Sequence, residues 1–280
     1  MITSPWPPEG PFRTAALRIP RTKDELEMTL HGAVAALEPG GVLLAYGAND
    51  EGARSAPGRI EPLVGEVVTV QRMRRCRVLR AVRPADTPGL RPRLEEWRRT
   101  TTLSLAGEER SWVSYPGIFA HGRLDPGTAL LLEHLPPLAP DARVLDFGCG
   151  SGPVGAAVRA RSPSAPIDLL DADAVALRAA EENVEGARII LGTSLDAAAG
   201  PYDAIVSNPP YHAGRAETTG VAEALIRDAP SGLTGDGVLA LVVQKRLGLE
   251  EPLRRAFRRV DRPAADRTYA VFVARKPGRG

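Results

Sequence analysis

The sequence predicts an α/β protein: a mostly parallel sheet covered by helices on both faces, preceded by a shorter, degenerate α/β half-copy. Three observations carry this expectation. Residues 143–274 alternate strand-like and helix-like segments. A glycine-rich turn, Asp146-Phe147-Gly148-Cys149-Gly150-Ser151-Gly152, joins one such strand to one such helix. The stretch Leu37-Glu38-Pro39-Gly40-Gly41-Val42-Leu43-Leu44-Ala45 is echoed by Leu233-Thr234-Gly235-Asp236-Gly237-Val238-Leu239-Ala240-Leu241. Alternating strands and helices imply right-handed crossovers, and ligands in such sheets bind at the carboxyl ends of strands.

The elements follow in order. Strands are expected at Arg143–Phe147, Ile167–Leu170, Ala187–Leu191, Ala204–Ser207, Gly237–Val243 and Tyr269–Ala274. Helices are expected at Val154–Arg161, Ala174–Asn183, Val221–Asp228 and Glu251–Arg259. In the first hundred residues a helix-like stretch precedes the echoed segment, and an apolar-basic segment, Val68–Val82, follows it as Arg267–Ala274 follows the later copy. Ser4–Gly10 is expected to match Ser207–Gly214. This region has no glycine-rich loop and no Asn-Pro-Pro, so it reads as the later half of a second copy. The expected division is 1–105, non-catalytic, and 106–280, catalytic.

Composition bounds the function. The 280 residues carry two cysteines, Cys76 and Cys149, which excludes a disulfide framework and fits a reducing compartment. The N-terminus has no signal-peptide pattern and no apolar run spans a bilayer, so the expected location is the cytoplasm. Net charge is +2, yet residues 70–99 hold ten Arg against Asp86, Glu95 and Glu96. Such a cluster suits phosphates, or is a solvated face in an arginine-rich chain.

Three motifs carry chemistry. The glycines at 148, 150 and 152 let backbone approach a ligand, and their spacing is not that of a dinucleotide phosphate loop. Asp146, two residues before Gly148, repels a phosphate and suits a ligand with an amino group or positive centre. Asp171 ends the next strand, where a carboxylate accepts from both ribose hydroxyls; Asp173 is the expected cap of the following helix. Asn208-Pro209-Pro210-Tyr211 ends the fourth strand. Its prolines fix a stiff turn, so the Asn208 side-chain oxygen and the Pro209 carbonyl become two fixed acceptors beside an aromatic face. That arrangement suits a flat group with an exocyclic amine. His212 reads as a positioning residue next to the site.

In their order and at strand ends, these motifs resemble the class I S-adenosylmethionine-dependent methyltransferases, whose fold is Rossmann-like and seven-stranded. More narrowly, the chain is similar to the ribosomal RNA guanine-N2 methyltransferases of the RsmC/RlmG type. The segments Tyr115–Thr128 and Ser207–Gly214 and the half-copy carry the narrower match. The resemblance implies S-adenosyl-L-methionine as cofactor. It implies cofactor binding by Asp146, Phe147, Gly148, Cys149, Gly150, Gly152, Asp171, Ala172, Thr193, Ser194 and Asn208, with Phe119, Asp125 and Thr128 from the upstream segment. It implies catalysis by Asn208, Pro209, Pro210 and Tyr211, with no metal. The implied partner is ribosomal RNA or the small ribosomal subunit, with no membrane, acting as a monomer or weak dimer. Adenine-N6 and protein-glutamine-N5 methylation remain open, as does a non-catalytic RNA-binding or assembly protein that has kept the fold.

Overall fold

The computed structural model describes residues 4–105, 107–210, 212–213, 216–217 and 219–276, with backbone alone at 121, 212, 213, 216 and 217. The chain divides into two compact units, Met1–Arg99 with Tyr115–Gly117, and Thr100–Ser114 with Ile118–Gly280.

The first unit runs β1 (Phe12–Arg18), α1 (Lys23–Ala36), β2 (Leu37–Ala48), α2 (Pro57–Val64), β3 (Val68–Met73) and β4 (Cys76–Val82). Its sheet has the order β1-β2-β4-β3, with β1 parallel to β2 and the other pairs antiparallel. Thr22 caps α1 by accepting from the Glu25 N–H, and Asp24 and Glu25 stand in the first turn, where acidic groups favour the helix dipole. Leu26, Leu30 and Val34 of α1 and Ile60 and Val64 of α2 pack on Leu43, Ala45, Leu79 and Ala81 of the sheet. The proline- and arginine-rich stretch after β4 folds back on α1. There the Arg91 guanidinium lies 3.2 Å from the Trp97 ring centroid, and the Arg91 N–H donates to His31 Nδ1.

The second unit begins with a hairpin, β5 (Arg99–Leu105) and β6 (Glu108–Ser114), then α3 (Pro126–Glu133). A Rossmann-like run follows: β7 (Val144–Phe147), α4 (Pro153–Arg161), β8 (Ile167–Asp171), α5 (Ala174–Asn183), β9 (Arg188–Leu191) and β10 (Tyr202–Ser207). After the short pair β11 (His212–Ala213) and β12 (Ala216–Glu217) come α6 (Gly220–Gly232), β13 (Leu233–Gln244), α7 (Glu250–Ala256), β14 (Arg259–Ala265) and β15 (Tyr269–Arg275). The seven-stranded sheet has the order β14-β15-β13-β10-β7-β8-β9. It is parallel from β13 to β9 and antiparallel at β15 and β14. One face packs Val144, Val206, Ala240 and Val271 against α3 and α4, and the other packs Ile205, Leu239 and Phe272 against α6 and α7.

At the amino ends of the strands, Asp168 gathers four donors. Arg188 approaches it through Nε at 2.9 Å and Nη2 at 2.6 Å, the Tyr202 hydroxyl at 2.6 Å and Arg143 at 3.2 Å. These bonds tie β7, β8, β9 and β10 together. They outweigh the cost of burial and hold the Asp168 carboxyl below its ordinary value.

The echo in the sequence is an echo of ladders. The order β1-β2-β4-β3 repeats β10-β13-β15-β14. Leu37 opens β2 opposite Phe12 as Leu233 opens β13 opposite Tyr202, and each pairing slips at the next step. The peptides Gly10-Pro11 and Gly200-Pro201 ahead of the two first strands are both cis. The match expected between Ser4–Gly10 and Ser207–Gly214 is corrected by the register. Leu17 faces Ala45 as Ser207 faces Leu241, so Arg18, Ile19 and Pro20 stand where Asn208, Pro209 and Pro210 stand. Composition alone had drawn the proline-rich N-terminus into the comparison; the strand that precedes the turn decides the equivalence.

Two elements differ from expectation, and others were not foreseen. Val68–Val82 is a hairpin, because the turn at Arg74, with φ 55°, breaks it in two. The helix expected over 251–259 stops at Ala256, and Arg259 begins an edge strand containing Pro263, a residue tolerated where a strand has one open side. The first hairpin of the second unit and α3 lie in stretches with no strong apolar period.

Candidate active site

The carboxyl ends of β7, β8 and β10 converge. Ser207 ends β10 and its hydroxyl donates to the Phe147 carbonyl at 2.7 Å, which ties the Asn-Pro-Pro turn to the glycine loop. A side chain added at Gly148 would lie 3.7 Å from Pro210 Cδ. Gly148, Gly150 and Gly152 have φ of 70°, 54° and 90°, the left-handed region that glycine enters at no steric cost. Above Gly150 the space is open, whereas a Cβ on Gly152 would come 2.8 Å from Val184 Cγ2. The loop is held from beneath. The Gly148 and Cys149 N–H groups donate to the Leu170 carbonyl, and Trp112 Nε1 donates to the Ser151 hydroxyl. Asn183 donates to the Ser151 carbonyl.

Asp146 is buried at 1% exposure and accepts from the Gly155 N–H in the first turn of α4 at 3.0 Å. Burial pushes its carboxyl up to about 7, against the lowering effect of that N–H, and the Asp171 charge adds to the rise. Asp171 accepts from Gly150 N at 2.8 Å through one oxygen and from Asp173 N at 2.9 Å through the other. Burial raises this carboxyl as well, with the two N–H groups opposing. Each carboxylate oxygen has a second lone pair, so both remain able to accept from a diol. Asp173 caps α5 by accepting from Val175 and Ala176, as the sequence led one to expect. Phe147 and Cys149 are buried, and burial pushes the Cys149 thiol up. Ala172 is exposed beside Asp171.

Asn208 is fixed by its nitrogen. Nδ2 donates to Asp125 Oδ2 and to Thr128 Oγ1, each at 2.9 Å. Asp125 is the cap of α3, and the same oxygen accepts the Thr128 N–H at 3.0 Å. An amide whose two N–H bonds are spent in this way presents Oδ1 as its acceptor end. Pro209 is buried and Pro210 exposed. Tyr211 lies outside the described residues, as does the side chain of His212.

The other expected positions are more open. Phe119 is 66% exposed in the turn before α3. Thr193 is exposed and Ser194 half-buried after β9, close to Asp171, whose carbonyl accepts the Gly192 N–H. One neighbour was missed from sequence. Tyr269 opens β15, and its ring lies 3.0 Å from the position of a Cβ on Gly127, a position equally close to Asp125 Oδ2. Burial and the Asp125 charge raise the Tyr269 hydroxyl. The signal was topological: an antiparallel last strand starts where its parallel neighbours end.

A bare glycine backbone under open space, a buried acid beside it and a half-buried acid on the next strand fit S-adenosylmethionine, whose methionine amine and ribose diol require those groups. Comparisons agree. The model described as methyltransferase small domain matches residues 109–273, and that of the methyltransferase small domain N-terminal matches residues 2–100. The ribosomal RNA small subunit methyltransferase C of Ectopseudomonas mendocina (strain ymp) is 38% identical over 244 residues, 86% of this chain and 72% of the relative. The chain belongs to the ribosomal RNA small subunit methyltransferase C family. A second member, from Shewanella halifaxensis (strain HAW-EB4), is 30% identical over 270 residues, 95% of this chain and 78% of the relative. The T. thermophilus 16S rRNA N2 G1207 methyltransferase (RsmC), solved in complex with AdoMet and guanosine, matches with a TM-score of 0.85 at 27% identity. That match covers 97% of this chain and 75% of the other. Membership in the small subunit methyltransferase C family makes the protein an S-adenosylmethionine-dependent methyltransferase.

Proposed function

We propose that the protein methylates the exocyclic N2 amine of a guanine in small-subunit ribosomal RNA. The observation that carries this reading is the double anchoring of Asn208 Nδ2 by Asp125 and Thr128, which turns Oδ1 toward an incoming amine. Family membership supplies the ribosomal substrate.

Bound S-adenosylmethionine supplies an electrophilic methyl group on a sulfonium sulfur. Gly148–Gly152 would hold its methionine part, Asp146 would face the amino group and Asp171 would take the ribose hydroxyls. Phe119, Thr193, Ser194 and Ala172 would close the adenosine side, and Asp125 and Thr128, which fix Asn208, would border it. Asn208 Oδ1 and the Pro209 carbonyl accept the two amine hydrogens of the guanine, and Tyr211 offers a stacking face. An exocyclic amine is conjugated with its ring, so its lone pair points nowhere useful in solution. Two fixed acceptors turn that lone pair toward the methyl carbon, and orientation together with fixed dipoles lowers the barrier. Transfer of the methyl group would form the C–N bond as the C–S bond breaks, and the alkylated nitrogen would release its proton to solvent. A base within a helix has to be unstacked first.

In this reading the second unit is catalytic and the first is not, since Arg18 stands at the Asn208 position. The protein acts on ribosomal RNA or the small ribosomal subunit in the cytoplasm, as a monomer or weak dimer. Methyl transfer from labelled cofactor to isolated small subunits, followed by nucleoside mass spectrometry, tests it. N2-methylguanosine is the expected product. N6-methyladenosine, or label in release-factor glutamine instead of RNA, overturns the guanine assignment.

A further inference from the structure

Glycine stands at every second place from Gly148 to Gly152, so the loop has little conformational preference of its own. Its order has to come from bonds to other elements. The first half takes them from β8, where the Leu170 carbonyl accepts from Gly148 and Cys149 and the Asp171 carboxylate accepts from Gly150. The second half takes them at Ser151, from two residues outside the seven-stranded sheet. Trp112 Nε1, on β6, donates to Ser151 Oγ at 3.1 Å. Asn183 Nδ2, at the end of α5, donates to the Ser151 carbonyl at 3.0 Å. Trp112 and Ser151 are both buried.

These two donors are braced against each other. The Asn183 side chain reaches β6, where Oδ1 accepts the Val113 N–H at 2.8 Å and Nδ2 donates to the Val113 carbonyl at 2.9 Å. One amide thus pairs with both backbone groups of Val113, as a neighbouring strand would. Its two Nδ2 hydrogens are divided between β6 and the loop, and only one orientation of the amide satisfies all three bonds. Val113 adjoins Trp112, so the group that meets the Ser151 hydroxyl and the group that meets its carbonyl share one frame. Val184, the residue after Asn183, closes the same corner, since a Cβ on Gly152 would come 2.8 Å from it. The Trp112 ring itself lies in one buried cluster with Leu105, Cys149, Val154 and Val184.

We propose that Trp112 and Asn183 are positioning residues for S-adenosylmethionine: they fix the hydroxyl and carbonyl of Ser151 and so hold the turn from Gly150 to Gly152 in the shape that receives the methionine part. A loop ordered before its ligand arrives binds more tightly, because less freedom is lost on binding. A role confined to folding is the poorer account. The apolar side chains of the hairpin already pack it on the core, yet the polar groups it offers and braces converge on a single residue of the glycine loop. The proposal needs the cofactor of the family and is independent of which base accepts the methyl group.

Calorimetric titration of the full chain with S-adenosylmethionine tests it. Trp112→Phe keeps a buried ring and removes the N–H, and is expected to weaken binding about tenfold, the worth of one buried hydrogen bond. Ser151→Ala removes the same bond from the other side, so the two changes together are expected to cost less than their sum. Asn183→Asp keeps the size of the side chain and the bond from the Val113 N–H, but sets a carboxylate oxygen against the Val113 and Ser151 carbonyls. It is expected to weaken binding further. Leu105→Ala opens the same core cluster without touching these bonds; it lowers the melting temperature and keeps the parent affinity. In nitrogen–proton correlation spectra, the indole peak that Trp112→Phe removes is expected to shift when cofactor is added. Parent-like affinity in folded Trp112→Phe overturns the proposal. So does an equal loss of affinity in Leu105→Ala at a matched fall in melting temperature, which makes the role structural. An indole peak that stays in place as cofactor binds overturns it as well. If Asn183→Asp does not fold, Trp112→Phe and Ser151→Ala decide the matter.

Discussion

Asn208 Nδ2 lies 2.9 Å from both Asp125 Oδ2 and Thr128 Oγ1, so a residue of the turn after β10 takes its orientation from the first turn of α3. Asp125→Ala removes one anchor and the cap of α3 together. Thr128→Val removes the other anchor and leaves the cap. Thr128→Val is therefore expected to lower kcat for methyl transfer about tenfold or more, with a smaller change in cofactor affinity. Asp125→Ala adds a loss of about 1 kcal/mol of stability from the missing cap. Single-turnover kinetics beside thermal denaturation separate the two. Equal turnover in Thr128→Val and the parent would show that the amide does not need this anchor.

The raised carboxyl of Asp146 makes cofactor binding sensitive to pH. Its value moves from 3.8 to about 7, so the neutral form is favoured below about pH 7 in the fold without cofactor. The stability this group contributes is full below 3.8 and is lost as pH rises through about 7. A cationic amine beside it prefers the ionised form, so affinity moves the opposite way. Calorimetry should show S-adenosylmethionine binding strengthen about tenfold per pH unit below about 7 and level off above it. Asp146→Asn should bind more weakly at alkaline pH and flatten the profile. A parallel slope in parent and variant would assign the proton to another group.

Gly150 and Gly152 separate ligand approach from folding. Both have positive φ, but open space lies above Gly150 while Val184 stands over Gly152. Gly150→Ala should cost about 1 kcal/mol of stability, the penalty of a left-handed residue, and weaken cofactor binding far more than that strain explains. Gly152→Ala adds a clash in the packed seam between α4 and α5 and should cost about 1–3 kcal/mol more. Chemical denaturation read beside calorimetry would reverse this assignment if Gly150→Ala were the less stable of the two.

Asp168 should matter to stability and not to chemistry. Its donors sit at the amino ends of the strands, away from the glycine loop. Asp168→Asn leaves Arg188, Arg143 and Tyr202 facing a neutral group and should cost about 1–3 kcal/mol, part of the Arg188 and Arg143 contribution being screened by solvent. The carboxyl is held below its ordinary value, so its stabilisation is present above 3.8 and lost as pH falls through the lowered value. The variant should lose part of the parent's acid sensitivity in thermal melts. A drop in kcat at temperatures where the variant is folded would contradict this assignment.

The sequence showed the strands that bury both faces, because β7, β8, β10 and β13 are near-continuous apolar runs. It showed the glycine loop and Asn-Pro-Pro for a different reason: steric demand restricts those residue types to few conformations. It showed the half-copy through one glycine-flanked strand, and the ladders then corrected which turn corresponds to Asn208. What stayed hidden is polar or edge structure. The edge strand β14 alternates poorly and contains proline. Tyr269 reaches the site only because β15 runs antiparallel. The anchors of Asn208 sit 80 and 83 residues upstream, and spacing carries no trace of a hydrogen bond across that distance.

The repeated ladder also sets a problem of timing. Synthesis completes β1 long before β10, and β7 emerges between them. In the finished protein β7 pairs with β10, while among the described residues β1 pairs with β2 alone. For the interval in which residues 148–201 are still being made, the nascent β7 meets an open strand edge of nearly the right pattern on the wrong copy. Arg13 and Arg18 on β1 are the sort of charges that discourage a strand from adding to an edge. Mispairing between duplicates is a hazard that comes with any repeated ladder, and charges on an exposed edge such as β1 work against it.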